Sequence, residues 1–265
     1  MLIGDTARMK ALAAQAGLGL GKFELLDCPD HAQMCGAACA LIKEGKGDIL
    51  VKGHVDSALY VKAIMSKETR LMLPGTTLSH FALFETARYH KLFGIADSAV
   101  LVAPNLERKR KIIQNSVDIM RLLGVELPKV AVVCPVEKVN PAMPSTVDAA
   151  ELAKMSQDGR IQNAVVEGPY DLYIALSRRA AEQKGVQGGQ VPGEADILLL
   201  PNLEACNPLY KALNFFAEGV KQGGFVAGAA VPVLLPSRTD PPIVKALSIA
   251  LASFLKSQKQ AAAQA

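Results

Sequence analysis

Residues 113–133, IQNSVDIMRLLGVELPKVAVV, contain a helix pattern followed at once by a strand pattern. Four apolar side chains recur at helical spacing in the first half: Ile113, Val117, Met120 and Leu123. Gly124 then ends the helix pattern. The second half ends in the run 130–133, which is hydrophobic at every position, as a strand covered on both faces requires. The stretch therefore predicts a helix packed beside a buried strand of a parallel sheet.

The same alternation extends in both directions along the chain. Other short apolar runs that predict strands are Asp48-Ile49-Leu50-Val51, Ala164-Val165-Val166, Asp196-Ile197-Leu198-Leu199-Leu200, and residues 224–227 and 231–235. Helix patterns lie between them, one opened by Ser145 in a capping motif and one running from about Leu172 to Lys184. This repeated order predicts the α/β class with a mostly parallel sheet.

Length and composition limit the kinds of protein that the chain can be. Its 265 residues correspond to one large or two small domains. Half of the residues are hydrophobic, 20% are charged and the net charge is +4, which indicates a globular chain with a sizeable core. The longest basic run, Arg108-Lys109-Arg110-Lys111, falls where a helix should begin. We interpret it as a solvent-exposed helix face and expect no nucleic-acid partner.

Targeting and cysteine signals are weak in this sequence. No apolar run approaches the ~18 residues of a membrane-spanning helix, and residues 11–20 are too polar for a signal-peptide core. We therefore expect a cytoplasmic protein with no membrane partner. The spacing of Cys28, Cys35 and Cys39 matches no zinc pattern, and five cysteines is an odd number for disulfides. Free thiols and no metal site are predicted.

Ligands of open parallel sheets bind beyond the carboxyl ends of strands, so each strand-to-helix junction is a candidate site. The first junction is Lys52-Gly53, directly after the run 48–51. Lys52 could reach an anion, and Gly53 would let that anion approach the backbone closely. The alternative is an exposed turn lysine with no ligand.

The second junction is the segment 201–208, after the run that ends at Leu200. Asn207 is a good N-cap residue and Pro208 suits the first helical position, which would place Lys211 in the first turn of a helix. A cation there opposes the helix dipole, and a bound anion would reverse that cost. The alternative is a lysine that swings into water.

The third junction is the segment 236–242, which contains Ser237, Arg238 and Asp240. Paired prolines open the last helix, and Asp240 is the expected N-cap. Ser237 and Arg238 precede a helix N-terminus, where free N–H groups and the guanidinium fork favour phosphate. The alternative is a structural cap with a surface arginine.

Taken together, Lys52, Lys211 and Arg238 predict an anionic ligand that carries phosphate. The GxxxxGK[ST] motif of nucleoside triphosphatases is absent. Residues 17–21 hold a fragment of a dinucleotide fingerprint, but the fragment precedes a strand instead of following one. These observations disfavour triphosphate hydrolysis and a standard nicotinamide site.

Several distinctive stretches follow one another along the chain: residues 48–53, Ser79-His80-Phe81, residues 113–118, 136–146 and 195–198, Asn207-Pro208-Leu209-Tyr210-Lys211, and residues 228–238. In this order they resemble the phosphate acetyltransferase and phosphate butyryltransferase family, and more closely its butyryl branch. The resemblance covers nearly all of the chain from about Asp48 to Ala252.

The resemblance implies acyl transfer between coenzyme A and inorganic phosphate, with coenzyme A as a substrate and no tightly bound cofactor. It also implies two three-layer α/β domains of isocitrate-dehydrogenase-like architecture, with the site in the cleft between them, and a homodimer or higher homo-oligomer. We expect a discontinuous first domain, residues 1–90 plus 223–265, and a second domain, residues 91–222.

On this resemblance, the catalytic residues are Ser237, Arg238 and Asp240. Arg238 would bind the phosphate and Ser237 would donate a hydrogen bond to the oxyanion or to a phosphate oxygen. The general base is either Asp240 or a group from another segment. The residues expected to bind substrate or coenzyme A are Lys52, Gly53, Ser79, Asn207, Lys211 and Gly228.

Some positions depart from the pattern of the family. The family commonly has glycine at the position of Cys206, asparagine at Leu101, an Asp-Asn pair at Tyr173-Ile174 and serine at Cys134. One alternative function is therefore a non-catalytic acyl-CoA-binding relative. Another is a dehydrogenase of a phosphorylated hydroxy compound, which would need a cluster of metal-binding carboxylates that the sequence does not reveal.

Overall fold

An eight-stranded sheet flanked by helices forms the centre of the structure, a computed structural model that describes residues 1–264. Its strands are β3 (Leu50–Val51), β4 (Ser79–Glu85), β5 (Phe93–Ala96), β6 (Lys129–Val133), β7 (Val165–Tyr170), β8 (Ile197–Leu199), β9 (Lys221–Ala227) and β10 (Val233–Leu234). A separate parallel pair comprises β1 (Leu2–Gly4) and β2 (Leu25–Asp27). The helices are α1 (Thr6–Gln15), α2 (His31–Lys43), α3 (Ser57–Met65), α4 (Leu106–Leu122), α5 (Pro144–Gln157), α6 (Leu172–Leu176), α7 (Arg178–Gln183), α8 (Leu203–Phe216) and α9 (Pro242–Gln264). The α/β class predicted from the sequence is confirmed.

The strands of the large sheet run in two directions. Their order is β3-β10-β9-β4-β5-β8-β6-β7. The pairs β3–β10, β5–β8, β8–β6 and β6–β7 are parallel, whereas β10–β9, β9–β4 and β4–β5 are antiparallel. The sheet is therefore mixed: four of its seven strand pairs are parallel, as the prediction of a mostly parallel sheet requires, and three consecutive pairs are antiparallel. As a result, β3, β4 and β10 point one way and the other five strands point the opposite way.

Apolar side chains bury both faces of this sheet. On one face, α4, α5 and α9 pack over residues such as Phe81 and Phe225. On the other face, α6 and α8 pack over residues such as Phe84 and Ile95. A third cluster joins α2 and α3 to β3, β9 and β10. Burial on both faces explains why the strands are apolar at nearly every position.

The C-terminal strands return to the N-terminal part of the chain. β9 pairs with β4, and β10 pairs with β3, so residues 223–234 lie beside residues 50–85. Residues 1–90 and 91–222 also share one sheet, since β4 pairs with β5. The division into residues 1–90 plus 223–265 and residues 91–222 stays a prediction.

Helix α8 starts earlier than its proline suggests. Asn202 is the N-cap, and its side-chain oxygen accepts a hydrogen bond from the backbone N–H of Ala205. Pro208 lies inside the helix, and the predicted N-cap, Asn207, is a helical residue. The prediction of a helix start at Asn207 is therefore wrong, because Asn202 offers an equally good capping oxygen one turn earlier. Lys211 is not in the first turn, so the dipole argument for an anion beside it fails.

Three local predictions also need correction. Helix α5 begins at Pro144 with no side-chain cap, and the hydroxyl of Thr146 bonds to Asn140 and Met143 instead of opening a capping box. The helix expected over residues 172–184 breaks at Ser177, whose extended backbone and side chain cap α7. In the basic run, Lys109 is buried and pairs with Asp148 at 2.7 Å, so that run is not a wholly solvated face.

Candidate active site

The parallel pairing of β3 and β10 brings two of the predicted junctions together. Leu50 is in register with Val233 and Val51 with Leu234. The two strands therefore end at the same edge of the sheet, and their following loops carry Lys52-Gly53 and Ser237-Arg238. The first and third junctions form one corner, which we call the β3/β10 corner and define as residues 52–56 and 236–240.

Lys52 is a buried cation at this corner. Its side chain is only 6% exposed, and the ammonium donates to the carbonyl oxygens of Val55 at 3.0 Å and Gly53 at 3.3 Å. Burial lowers the pKa of the ammonium, and the nearby charge of Arg238 lowers it further. Within residues 1–264, no carboxylate forms an ion pair with Lys52. Lys52 is therefore not the exposed turn lysine of the alternative interpretation.

The segment 237–240 is a tight loop held by its own polar groups. The backbone N–H of Ser237 donates to Asp240 Oδ2 at 2.6 Å, and the hydroxyls of Ser237 and Thr239 are 2.9 Å apart. Helix α9 begins at Pro242, so the Asp240 carboxylate closes this loop instead of capping the helix as predicted. The guanidinium of Arg238 is exposed and forms no ion pair with the described part of the chain.

Asp240 is half-buried, and its carboxylate takes up a proton more readily than an exposed carboxylate does. Burial raises the pKa of Asp240, while the N–H of Ser237 and the charge of Lys245 partly oppose that shift. A carboxylate of raised pKa is a stronger base than a fully exposed one. Asp240 therefore has a suitable environment for accepting a proton, in the same loop as Arg238.

Helix α8 carries a further polar side chain to this region. The helix connects the carboxyl end of β8 to the amino end of β9, and because these strands point the same way it crosses the height of the sheet. Tyr210 packs edge-on against His80 and Phe84, with ring centroids 5.9 and 5.8 Å away. Burial raises the pKa of Tyr210, and the negative charge of Asp240 raises it further. Sequence reasoning missed Tyr210, although it lies inside the motif 207–211.

His80 is a second buried polar residue on the α8 face of the sheet. Its Nδ1 is 2.8 Å from the hydroxyl oxygen of Ser98, and burial lowers the pKa of His80 to about 4. The imidazole is therefore neutral at physiological pH. Gly224 lies under the ring, since a Cβ there would be 3.0 Å from His80 Nε2.

The buried carboxylate of Asp97 organises the loop after β5. It accepts four backbone hydrogen bonds, from the N–H groups of His80, Ala99, Val100 and Leu101, at 2.9 to 3.1 Å. Burial raises the pKa of Asp97, and these N–H groups oppose the shift. Asn207 adds a hydrogen bond from Nδ2 to the Ser98 carbonyl at 2.9 Å. Asn207 thus holds the loop 97–101 in place.

Ser79 and Gly228 lie near the other end of the central strands. Ser79 pairs with Ala227, and its hydroxyl accepts from Asn115 Nδ2 at 2.9 Å. Gly228 has φ +90°, and a Cβ there would be 2.1 Å from the Thr77 carbonyl oxygen. Since β9 is antiparallel to β10, Gly228 follows the end of β9 that lies farthest from Ser237. The structure does not bring Ser79 or Gly228 to the β3/β10 corner, and their binding roles stay predictions.

Lys211 is exposed on α8, one residue after Tyr210. The charge of Arg238 acts on Lys52, so these two of the three expected cations lie near each other. The role of Lys211 stays a prediction.

The positions that depart from the family pattern have different environments. Cys206 and Ile174 are fully buried, and Cys134 is buried with its sulfur 3.3 Å from the Ser145 carbonyl. Burial raises the pKa of the Cys206 thiol, which is unsuited to thiolate chemistry. Leu101 packs against the core, whereas Tyr173 is 75% exposed. All five cysteines are free thiols, as predicted.

Comparison with known proteins identifies the family. A family model described as "Phosphate acetyl/butaryl transferase" matches residues 30–252. This chain belongs to that family. Phosphate butyryltransferase of Clostridium acetobutylicum is 41% identical over 98% of this chain and 85% of its own length. Phosphate acetyltransferase of Rhizobium meliloti is 35% identical over 99% of this chain and 82% of its own length.

A solved structure supports the same assignment to the phosphate acetyl/butyryl transferase family. A branched-chain phosphotransacylase from Enterococcus faecalis superposes with a TM-score of 0.82, at 29% identity, over 97% of this chain and 99% of its own. The resemblance noted in the sequence is therefore confirmed. Within residues 1–264, none of the helices combines the length and apolar character needed to span a membrane. Over the same residues, no three His, Cys, Asp or Glu side chains cluster closely enough to hold a metal ion.

Proposed function

We propose that this protein transfers a short-chain acyl group between coenzyme A and inorganic phosphate, giving an acyl phosphate and the free thiol. The family supports this reaction over the dehydrogenase alternative. The observation that carries the proposal is the β3/β10 corner, where buried Lys52 lies near exposed Arg238. Asp56 acts on Lys52 only through its charge, and no carboxylate among the described residues forms an ion pair with either cation. Two adjacent unpaired cations repel each other, and a phosphate dianion between them would relieve that repulsion.

In the direction of acyl phosphate synthesis, a phosphate oxygen attacks the thioester carbonyl carbon. The new C–O bond forms, the carbonyl oxygen becomes an oxyanion, and the C–S bond then breaks. Arg238 holds the phosphate, and its planar fork fits two phosphate oxygens. The hydroxyl of Ser237 is free to turn from Thr239 and donate to the oxyanion. The ammonium of Lys52 supplies a second positive charge at the β3/β10 corner.

The reverse reaction requires a base for the thiol. A free thiol ionises near pH 8.5, so the coenzyme A sulfur needs a proton acceptor at neutral pH. We assign this role to Asp240, whose raised pKa suits proton transfer and whose position is fixed by Ser237. The thiolate attacks the acyl phosphate carbonyl carbon, the C–O bond to phosphate breaks, and phosphate leaves on Arg238.

The decisive experiment follows thiol release from acetyl-, butyryl- and longer acyl-CoAs in the presence and absence of phosphate. We expect phosphate-dependent release, and we expect Arg238→Ala to lower kcat/KM by about 10²-fold or more, because the phosphate loses its guanidinium contact. Arg179→Ala, at another exposed arginine, is the matched control and should be unchanged. A protein that binds coenzyme A but releases no thiol with phosphate would be the non-catalytic relative.

We also propose that the enzyme acts as a homodimer in the cytoplasm. Five free thiols suit a reducing compartment. Phe215 and Phe216, at the end of α8, are 82% and 79% exposed, and such adjacent aromatics are typical of subunit interfaces. Light scattering of the purified protein tests the assembly: a mass near 28 kDa would contradict the dimer.

A further inference from the structure

His80 has one ring nitrogen with a partner and one without. Nδ1 lies 2.8 Å from the Ser98 hydroxyl oxygen, whereas Nε2 makes no hydrogen bond with the described residues. Over residues 1–264, Gln222 Oε1 is the side-chain polar atom that is both sealed from solvent and unpartnered. Nε2 is therefore still reached by solvent, although the residue as a whole is only 6% exposed. An unpartnered nitrogen on a buried side chain is a candidate contact for a ligand.

The Ser98 hydroxyl decides which nitrogen carries the proton. Ser98 is buried, and His80 Nδ1 is the one partner of its hydroxyl within residues 1–264. If Nδ1 held the proton, the hydroxyl hydrogen of Ser98 would be buried without an acceptor, which costs free energy. The hydroxyl therefore donates to Nδ1. Burial keeps the imidazole neutral, so its single proton is on Nε2, which is a donor.

The surroundings of the ring fix the position of Nε2. The backbone N–H of His80 donates to Asp97 Oδ1 at 2.9 Å, and the Ser98 carbonyl accepts from Asn207 Nδ2 at 2.9 Å. The ring of Tyr210 packs edge-on against the imidazole, with centroids 5.9 Å apart. The donor is therefore held by a strand, a loop and a helix, as precise recognition requires.

The ring leans from β4 toward the β3/β10 corner. A Cβ at Gly224 would lie 3.0 Å from Nε2, so this edge of the ring lies over β9, the strand between β4 and β10. His80 pairs with Val226, and Val226 pairs with Val233. Because β9 and β10 are antiparallel, Gly224 is closer than Val226 to the end of the sheet at which β10 leads into Ser237. Continuing this register, Ser237 lies roughly 8 Å from Gly224.

We propose that His80 is a binding residue for coenzyme A, whose Nε2–H donates to the carbonyl oxygen of the pantetheine amide nearest the sulfur. This inference rests on the proposed function, which places the reacting sulfur at the β3/β10 corner. Four bonds join that sulfur to the amide carbon, which is about 5 Å in an extended chain. The hydrogen bond adds about 3 Å. The reach of the pantetheine arm from the corner therefore matches the position of Nε2.

The lack of charge distinguishes His80 from the cations of the corner. Arg238 and Lys52 suit the phosphate dianion, because charged donors bind anions more strongly than neutral donors do. The neutral N–H of His80 suits the uncharged oxygen of an amide. Glycine at position 224 keeps a side chain away from Nε2 and leaves this donor accessible. The site thus has a phosphate end at Arg238 and an amide end at His80.

Two thioesters that differ by this amide test the contact. S-butyryl-N-acetylcysteamine contains the amide, and S-butyryl ethanethiol ends before it. His80→Phe keeps a ring and removes the donor, so it should lower kcat/KM for the first thioester by about 10-fold and leave that for the second within about 2-fold. His80→Gln, whose side-chain amide can donate, should lose less. His31→Gln, at an exposed histidine, is the control. Equal losses for both thioesters in His80→Phe would overturn the proposal, since a purely structural role affects both.

A measurement that needs no turnover separates this inference from the proposed function. In protein labelled with ¹⁵N-histidine, proton–nitrogen spectra show which ring nitrogen is protonated, with His80 assigned by its loss in His80→Gln. We expect the proton on Nε2, and a shift of that signal with coenzyme A but not with adenosine 3′,5′-bisphosphate, which lacks the pantetheine arm. This result supports the contact even if no acyl transfer is found or His80→Phe fails to fold. A proton on Nδ1, or an Nε2 signal that saturating coenzyme A leaves unchanged, would overturn it.

Discussion

The backbone N–H of Lys52 donates to the carbonyl oxygen of Leu234 over 3.1 Å, directly beyond the paired ends of β3 and β10. This bond continues the parallel ladder by one residue and leads both chains into the β3/β10 corner. Strand pairing therefore places Lys52 next to the start of the loop that carries Arg238. Rigid elements position charged groups more accurately than loops alone.

Lys52→Met should weaken the use of phosphate. The substitution keeps the length of the side chain and removes its charge, and loss of one charged contact corresponds to about 10- to 100-fold in kcat/KM for phosphate. Phosphate titrations of thiol release give this value. Lys62→Met, at an exposed lysine of α3, is the control. Equal losses in both variants would show that Lys52 has no special role.

Asp240→Asn tests the base. Asparagine can still accept the Ser237 N–H, so the loop is retained, while the rate of attack by the thiol should fall by about 10²- to 10⁴-fold. The remaining rate should depend on the fraction of coenzyme A thiol that is ionised. It should therefore increase as the pH rises toward about 8.5, the pKa of a free thiol. Stopped assays of acyl phosphate with coenzyme A at several pH values measure both effects. Glu218→Gln, at an exposed carboxylate just after α8, is the control and should behave as wild type. An unchanged pH profile in Asp240→Asn would show that Asp240 is not the base.

His80 should make the fold acid-sensitive. Its pKa is about 4 in the folded protein and 6.5 in the unfolded chain, so the unfolded state binds the proton first as pH falls. From pH 7 to pH 5 this should reduce the free energy of unfolding by about 2 kcal/mol. Urea denaturation at the two pH values should show a smaller difference for His80→Gln. His90→Gln, at an exposed histidine, should keep the wild-type difference.

Gly228 and Gly53 should differ sharply in their tolerance of a methyl group. Gly228→Ala places a Cβ 2.1 Å from the Thr77 carbonyl at a φ of +90°, and we expect a loss of about 2–4 kcal/mol of stability. A Cβ at Gly53 meets nothing within 4 Å, so Gly53→Ala should cost less than about 1 kcal/mol. Thermal melts compare the two. If Gly53 borders the phosphate, Gly53→Ala should raise the KM for phosphate without lowering the melting temperature.

Much of this architecture is readable from local patterns. The runs at 130–133 and 197–199 are apolar on both faces because the sheet is covered on both faces, and the stripe from Ile113 to Leu123 is the buried side of α4. Here sequence and structure agree because each signal is decided by neighbouring residues. The corner of Lys52 and Arg238 also needs the pairing of β3 with β10, which local patterns do not reveal.

The predictions from the sequence are wrong where the structure depends on contacts between residues that are distant in the sequence. Through antiparallel pairing, three of the eight strands run against the other five, and no local pattern reveals strand direction. Helix α8 starts at Asn202 and not at Asn207 because the two asparagines have different partners. The side chain of Asn202 caps the helix, whereas the side chain of Asn207 bonds to the Ser98 carbonyl. Tyr210 escaped notice for the same reason, because its ring packs against His80 and Phe84, which belong to another segment.

Helix α8 bonds Asn207 to the loop 97–101 and packs Tyr210 edge-on against His80 and Phe84, two attachments that lie about one helical turn apart. If Leu101 in that loop borders the acyl chain, a family member that acquires a new acyl preference by remodelling the loop must also accommodate the packing of this helix on β4. Acyl preference and the packing of α8 would then evolve together.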